Sequence, residues 1–188
     1  DQYKSVNLSG LLENDHTNKE SYFCTVERND PWDKGVLSKK ILKQSKKIIN
    51  EERKGTLNFD INNTDRSVGA SISGYIAKIY GEDGLPKKLS LKFNGSAGQS
   101  FGCWNAKNLN LILNGDANDY VGKGMNGGRI IIKNDADFAL KNNTVLAGNT
   151  CLYGATGGEL YISGSVGERF AVRNSGANAV VELSLIHI

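Results

Sequence analysis

The strongest constraint on the fold is an internal repeat in the second half of the chain. Residues 89–102, LSLKFNGSAGQSFG, align with residues 109–122, LNLILNGDANDYVG, at an offset of 20 residues. A third copy begins in mid-pattern, where 160–171 aligns with 91–102. A period of this size indicates stacked supersecondary units, each of which buries its apolar face against its neighbours.

Each repeat combines a short strand with a glycine-rich corner. Leu89, Leu91 and Phe93 alternate with polar residues, which is typical of a strand with one buried face. A second pattern places 124–130 over 154–160 at an offset of 30 residues, again around paired glycines. Glycine supplies the positive φ that tight corners require, and a 20-residue unit leaves no room for a helix.

A strand, a corner and another strand in each unit predict a mainly β protein, a parallel β-helix over residues 89–182. The repeat itself does not determine the hand of this solenoid. The pattern blurs at 134–143, which we expect to be a longer corner. Residues 183–188 do not follow the repeat, and we expect them to be a non-native tail that leaves the solenoid truncated.

Two helices and a strand are predicted before the solenoid. Apolar residues at helical spacing favour a helix over 38–54, with Ser38 as its N-cap. Residues 56–61 alternate as a strand, and 67–80 form a second helix that ends at glycine. We therefore expect residues 1–88 to form a connector that also caps the exposed end of the solenoid.

Composition excludes several classes of partner. The formal net charge of +3 is too small to argue for nucleic acid, and no apolar run approaches the length of a membrane span. Three cysteines, an odd number with no paired spacing, favour reduced thiols in a cytoplasmic compartment. The first helix carries a lysine-rich face, including Lys43, Lys46 and Lys47, which we interpret as a solvated face rather than a nucleic-acid or lipid site.

One short motif resembles a nucleotide-binding fingerprint. Residues 122–127, GKGMNG, match G-x-G-x-x-G, but that site needs a helix after the motif, and a strand pattern at 129–132 follows instead. We interpret it as a corner of the repeat. Cys103 and Cys151 could act as nucleophiles only with a base, and the histidines are His16 and His187. We therefore expect both cysteines to be buried in the repeats.

The remaining charged residues suggest weaker hypotheses. Four aspartates could hold a divalent cation, although their spacing matches no Ca²⁺ loop: Asp116, Asp119, Asp135 and Asp137. Glu168, Arg169 and Arg173 could form an ion-pair set on the outer face. The arginines best suited to contact a partner domain are Arg66, Arg129 and Arg169. No nucleophile, base and oxyanion donor come together, so we expect no catalytic, cofactor-binding or metal-binding residue here, and a structural or interaction module.

Specific runs across the chain resemble a known family. These runs are 63–69 (NTDRSVG), 80–86 (YGEDGLP), 95–102 (GSAGQSFG), 115–124 (GDANDYVGKG), 127–129 (GGR), 147–149 (AGN), 152–156 (LYGAT) and 167–177 (GERFAVRNSGA). Together they are similar to the C-terminal GXGXG domain of the glutamate synthase large subunit, over roughly residues 5–182. The family pattern continues into further coils past residues 181–182.

The resemblance implies a right-handed parallel β-helix within an oxidoreductase that makes glutamate from glutamine and 2-oxoglutarate. It implies an amidotransferase domain and an FMN-binding barrel with an iron–sulfur cluster on the same polypeptide. It also implies electrons from a small NAD(P)H-oxidising subunit or from ferredoxin. The resemblance gives Cys24, Cys103 and Cys151 no role, and it implies an inactive chain that buttresses the other domains.

Two other interpretations remain open at this point. The repeat also resembles the C subunit of formylmethanofuran dehydrogenase, a β-helical component of a different redox complex. A stand-alone solenoid that binds a ligand on its coil face is the third possibility. The helix and the Asn-Thr-Asp-Arg turn before the repeats favour the glutamate synthase family.

Overall fold

A computed structural model describes residues 7–12, 33, 35–134 and 144–184, without the side chains of residues 11, 12, 183 and 184. The chain divides into two compact units, residues 1–33 and 34–188. In the first unit, a short helix α1 (Ser9–Leu12) begins where the Ser9 N–H donates to Asn7 Oδ1. Several residues singled out above lie outside the described part: His16, Cys24, Asp135, Asp137 and His187.

The described residues of the second unit form two longer helices and seven strands. In chain order these are α2 (Val36–Asn50), β1 (Gly55–Ile61), α3 (Ala70–Tyr80), β2 (Leu89–Ala97), β3 (Leu109–Ala117), β4 (Asn126–Lys133), β5 (Val145–Ala147), β6 (Gly157–Val166) and β7 (Asn178–Ser184). A short 3₁₀ helix (Gly81–Asp83) follows α3.

All seven strands pair in parallel in one sheet. The order is β1-β2-β3-β4-β6-β5, with β7 on β6 and a further pairing between β3 and β5. Leu89 pairs with Leu109, and the two strands stay in that register over nine residues. Arg129 on β4 pairs with Glu159 on β6. The repeat offsets of 20 and 30 residues are therefore the registers of two strand pairs, β2–β3 and β4–β6.

The predicted right-handed parallel β-helix is wrong. The structure shows a seven-stranded parallel sheet with two helices, and the segment 98–108 between β2 and β3 contains no second strand. The strand expected to precede the repeats, β1, is instead part of the sheet and pairs with β2 along its whole length. A repeat of apolar positions determines which strands are neighbours, but it does not encode the closure of a coil.

The core lies on one face of the strands. Leu91, Leu111, Ile130 and Leu160 occupy the same position on four neighbouring strands, and all four side chains are inaccessible to solvent. Burial of each such side chain contributes about 1.5–3 kcal/mol. Phe93 belongs to the same core. Its ring stacks on that of Phe59 on the neighbouring strand β1 and meets the Phe101 ring edge to face.

Both predicted helices are confirmed, with different ends. The first begins at Val36 after Gly35, and the predicted cap Ser38 is buried inside it. Its buried stripe faces α3 and β1, and a Cβ on Gly55 of β1 would lie 2.9 Å from the Ile48 side chain. The Tyr80 hydroxyl of α3 donates to the carbonyl of Ile49 at 2.8 Å, so the two helices are joined by a hydrogen bond as well as by packing.

The corners after β2, β3, β5 and β6 share one unusual backbone conformation. In each corner, three alternate residues have φ between 56° and 68°. The four sets are Ser100, Gly102, Trp104; Tyr120, Gly122, Gly124; Thr150, Leu152, Gly154; and Arg169, Ala171, Arg173. The corners also bond to one another, since the Gly122 N–H donates to Phe101 and the Leu152 N–H donates to Val121. The corners therefore continue the stacking of the strands.

Two glycines with the same φ separate backbone strain from packing. Gly102 has φ 68° and Gly154 has φ 66°, but a Cβ on Gly102 would lie 2.4 Å from Ile130 Cδ1, whereas a Cβ on Gly154 would meet nothing within 4 Å. We expect Gly154→Ala to lower the free energy of unfolding by about 1–2 kcal/mol through left-handed strain alone. Gly102→Ala adds overpacking, for a total of about 2–4 kcal/mol. Urea denaturation of both variants measures the difference, and equal losses would refute the packing argument.

Candidate functional site

The solvent-facing side of the sheet carries two parallel rows of side chains. The polar row is formed by Asn110, Arg129, Glu159 and Asn178, which occupy equivalent positions on β3, β4, β6 and β7. The apolar row lies two residues further along the same strands and is formed by Ile112, Ile131, Tyr161 and Val180. Both rows follow from the strand register, because residues two apart on a strand share a face.

An ion pair lies at the centre of the polar row. The Arg129 Nε and one terminal nitrogen both contact Glu159 Oε2, and the guanidinium lies 5.5 Å from the centre of the Tyr161 ring. The hydrogen bond to Glu159 raises the pKa of Arg129 further above its ordinary value. Both side chains are more than a third exposed, so we expect the pair to contribute at most about 1 kcal/mol to stability. Its main effect is to hold the guanidinium against Tyr161.

A polar groove of about 730 Å³ runs beside this ion pair. Its floor is glycine-rich, and a Cβ on Gly128 would lie 2.2 Å from the carbonyl oxygen of Leu109, so the backbones approach closely there. Amide side chains and charges of both signs line its walls, including Asn126, Lys107 and Asp83. These groups can hydrogen-bond a polar surface, but they supply no nucleophile and base.

Neither described thiol is suited to nucleophilic chemistry. Cys103 and Cys151 are free and buried, as expected from the sequence. Burial raises the pKa of Cys103, and it raises the pKa of Cys151 from 9.0 to about 12. The Cys151 thiol donates to the carbonyl of Gly148 at 3.3 Å. Since the thiolate is the reactive form, both groups are unreactive near neutral pH.

The candidate acidic residues hold corners and strands together. Asp119 accepts a hydrogen bond from the Asn149 N–H at 2.7 Å, and the Asn149 side chain accepts one from the Glu168 N–H at 2.8 Å. Asp116 accepts from the Ser96 hydroxyl of the neighbouring strand at 2.7 Å. Within the described ranges, no three histidine, cysteine or acidic residues are grouped to hold a metal ion.

The structure places the other charged candidates apart. Arg66 lies in the loop before α3, Arg129 lies on β4, and Arg169 lies in the corner after β6. Among the residues that the structure describes, no ion pair joins Glu168 to Arg169 or Arg173. On the lysine-rich face of α2, Lys46 lies 5.2 Å from the centre of the Tyr75 ring. None of the helices in the described part of the chain is long and apolar enough to cross a bilayer.

The motif at 122–127 forms a corner and leads into a strand. Gly122 and Gly124 have positive φ, and β4 starts at Asn126, so the helix that a dinucleotide fingerprint requires does not follow.

Sequence reasoning missed the buried Asn105, whose side-chain amide donates to the carbonyls of Leu109 and Gly127 at 3.0 Å. It also missed the apolar row, which the two repeat offsets could have located.

Comparisons with known proteins agree on one family. A family model described as the GXGXG motif matches residues 35–187. Ferredoxin-dependent glutamate synthase 2 of Synechocystis sp. is 54% identical over 136 residues, which is 71% of this chain and 9% of that protein. The glutamate synthase [NADPH] large chain of Bacillus subtilis is 46% identical over 157 residues, 82% of this chain and 10% of that protein. Glutamate synthase [NADH] of Saccharomyces cerevisiae is 49% identical over 148 residues, 78% of this chain and 7% of that protein. The chain thus spans about a tenth of the length of these curated relatives.

Burial of the thiols predicts how stability depends on pH. Cys151 has a higher pKa in the folded chain than in the unfolded chain, so the unfolded chain loses its proton first as the pH rises. We expect the free energy of unfolding to fall between about pH 9 and pH 12, and a Cys151→Ala variant to lose this part of the slope. Urea denaturation at several pH values measures it. An identical slope in the variant would contradict the assignment, and rapid alkylation of native Cys151 at pH 7 would contradict its burial.

Proposed function

The chain belongs to the GXGXG family, and on that basis we propose that it is the GXGXG domain of a glutamate synthase large subunit, with a structural rather than a catalytic role. The observation that carries the proposal is the match to glutamate synthases at about half identity over most of the chain. The relatives reported above are all glutamate synthases, which favours this assignment over the formylmethanofuran dehydrogenase component and over a stand-alone binding solenoid.

The activity that we propose for the whole protein is the conversion of glutamine and 2-oxoglutarate to two glutamates. An amidotransferase domain would release ammonia, and a flavin domain elsewhere in the same polypeptide would use it. FMN and an iron–sulfur cluster would be held by that part of the protein. We place the protein in the cytoplasm, which is supported by the free state of Cys103 and Cys151.

The residues that the structure describes do not fit either cofactor. An iron–sulfur cluster is held by several cysteine ligands, whereas the described residues include two cysteines, Cys103 and Cys151, and no group of three potential metal ligands. A flavin phosphate is commonly bound at a helix N-terminus, whereas the glycine motif before β4 leads into a strand. We therefore propose that the chemistry takes place outside the described residues.

The proposed structural role requires rigidity, and the fold supports it. Ammonia that moves between two active sites must be kept from solvent, so the relative position of the two domains has to be fixed. The strands pair in register, the core side chains fill the space between them, and the corners bond to one another. Relatives with three different electron donors match the chain at similar identity, which supports a role that is independent of the donor.

We expect the isolated chain to be colourless and inactive and the full-length protein to be active. Visible absorbance measures bound flavin, and glutamate formation from glutamine and 2-oxoglutarate measures turnover. Triple substitution of the exposed corner residues Glu168, Arg169 and Arg173 by glutamine should leave the turnover of the full-length protein within about twofold, because surface changes of this kind usually have small effects. Stoichiometric flavin on the isolated chain, or turnover by it, would refute the structural role.

A further inference from the structure

One position on the outer face of the sheet changes from polar to apolar between β2 and β3. The strand register aligns Asn58, Lys92, Ile112, Ile131, Tyr161 and Val180 at this position. The first two are polar and exposed, as is usual for the solvent-facing side of a sheet. The last four form the apolar row, which crosses four neighbouring strands and is about 14 Å long at the usual strand spacing.

The apolar row is accessible and concave at one end. Tyr161 is 36% exposed and Val180 is 61% exposed. A shallow groove of about 580 Å³ is lined by Ile131, Tyr161 and Val180, and its lining also includes Lys133 and Glu182. Soluble proteins seldom leave a contiguous apolar surface uncovered unless something binds there.

The aromatic residue in this row is held in place before any partner binds. The Arg129 guanidinium lies over the Tyr161 ring, and Glu159 fixes the guanidinium. Tyrosine and arginine, with tryptophan, are enriched among the residues that dominate binding energy at protein interfaces. A fixed ring loses less conformational entropy on association than a mobile one, so the arrangement suits a permanent contact.

We infer that the apolar row is the surface on which another domain of the same polypeptide packs, an inference that rests on the proposed function. The relatives are about eight times as long as this chain, so on the proposed function most of the polypeptide lies outside it. The lining of the groove includes one lysine and one glutamate, so its charged groups balance, which suits a protein surface better than an anionic membrane or nucleic acid. The partner surface presents aliphatic or aromatic side chains to Tyr161 and Val180.

Site-specific photo-crosslinking in the full-length protein tests this surface. A benzophenone amino acid replaces Val180, and the matched control carries it at Lys92, which is exposed at the same row position on β2. In a second test variant, the same benzophenone amino acid replaces Tyr161. We expect the Val180 and Tyr161 positions to crosslink, in several-fold higher yield than the Lys92 position, to peptides from a different region of the same polypeptide.

Mixing ¹⁵N-labelled and unlabelled protein separates the alternatives. Crosslinked peptide pairs that carry a single isotope support packing within one polypeptide. Pairs of mixed isotope would show that the row contacts a second copy of the protein, and crosslinks to another protein would show that it contacts a separate subunit. Crosslinking yields no higher than at Lys92 would show that the row faces solvent. Each of these three results overturns the inference. Glutamate formation by the full-length wild-type protein tests the proposed function separately, because activity without these crosslinks refutes the surface alone.

Discussion

The second unit depends on the parallel stacking of equivalent residues on neighbouring strands. Leu91, Leu111, Ile130 and Leu160 lie in one buried column, so each strand buries the same position against its neighbours. A slip of one residue in any strand would turn its apolar side chains to solvent and its polar ones into the core. The corner hydrogen bonds, such as that from Gly122 to Phe101, hold the same register outside the strands.

The strained backbone of the corners is tolerated because the side chains of one corner pack into space left by the neighbouring corner. A left-handed backbone costs about 1–2 kcal/mol at a residue with a side chain, and eight of the twelve corner positions are not glycine. Leu152 shows what offsets this cost. Its side chain is fully buried, and its Cδ2 lies only 3.0 Å from where a Cβ on Gly122 would be. A glycine in one corner thus makes room for a large side chain in the next corner.

The sequence repeat predicted neighbours and register, but it could not predict closure. The offsets of 20 and 30 residues matched the β2–β3 and β4–β6 pairings, because in-register stacking requires equal spacing of apolar residues. The sequence analysis did not predict that β1 belongs to the sheet. This strand alternates apolar and polar residues as the repeats do, but it lacks the glycine-rich corner that follows them. The start of α2 was also missed, because Ser38 has the chemistry of a cap while the chain enters the helix earlier, at Gly35.

The outer surface was predictable to the extent that it depends on register alone. Arg129 was named as a partner-facing residue, yet its contact with Glu159 follows directly from the 30-residue offset between them, and Tyr161 lies two residues further on. The same strands supply the buried column and both outer rows, on alternating residues. Any change that shifts a strand would therefore disturb the core and the outer rows together. A surface built in this way is as rigid as the core beneath it, which is the property that a domain needs if it is to hold larger domains in fixed positions.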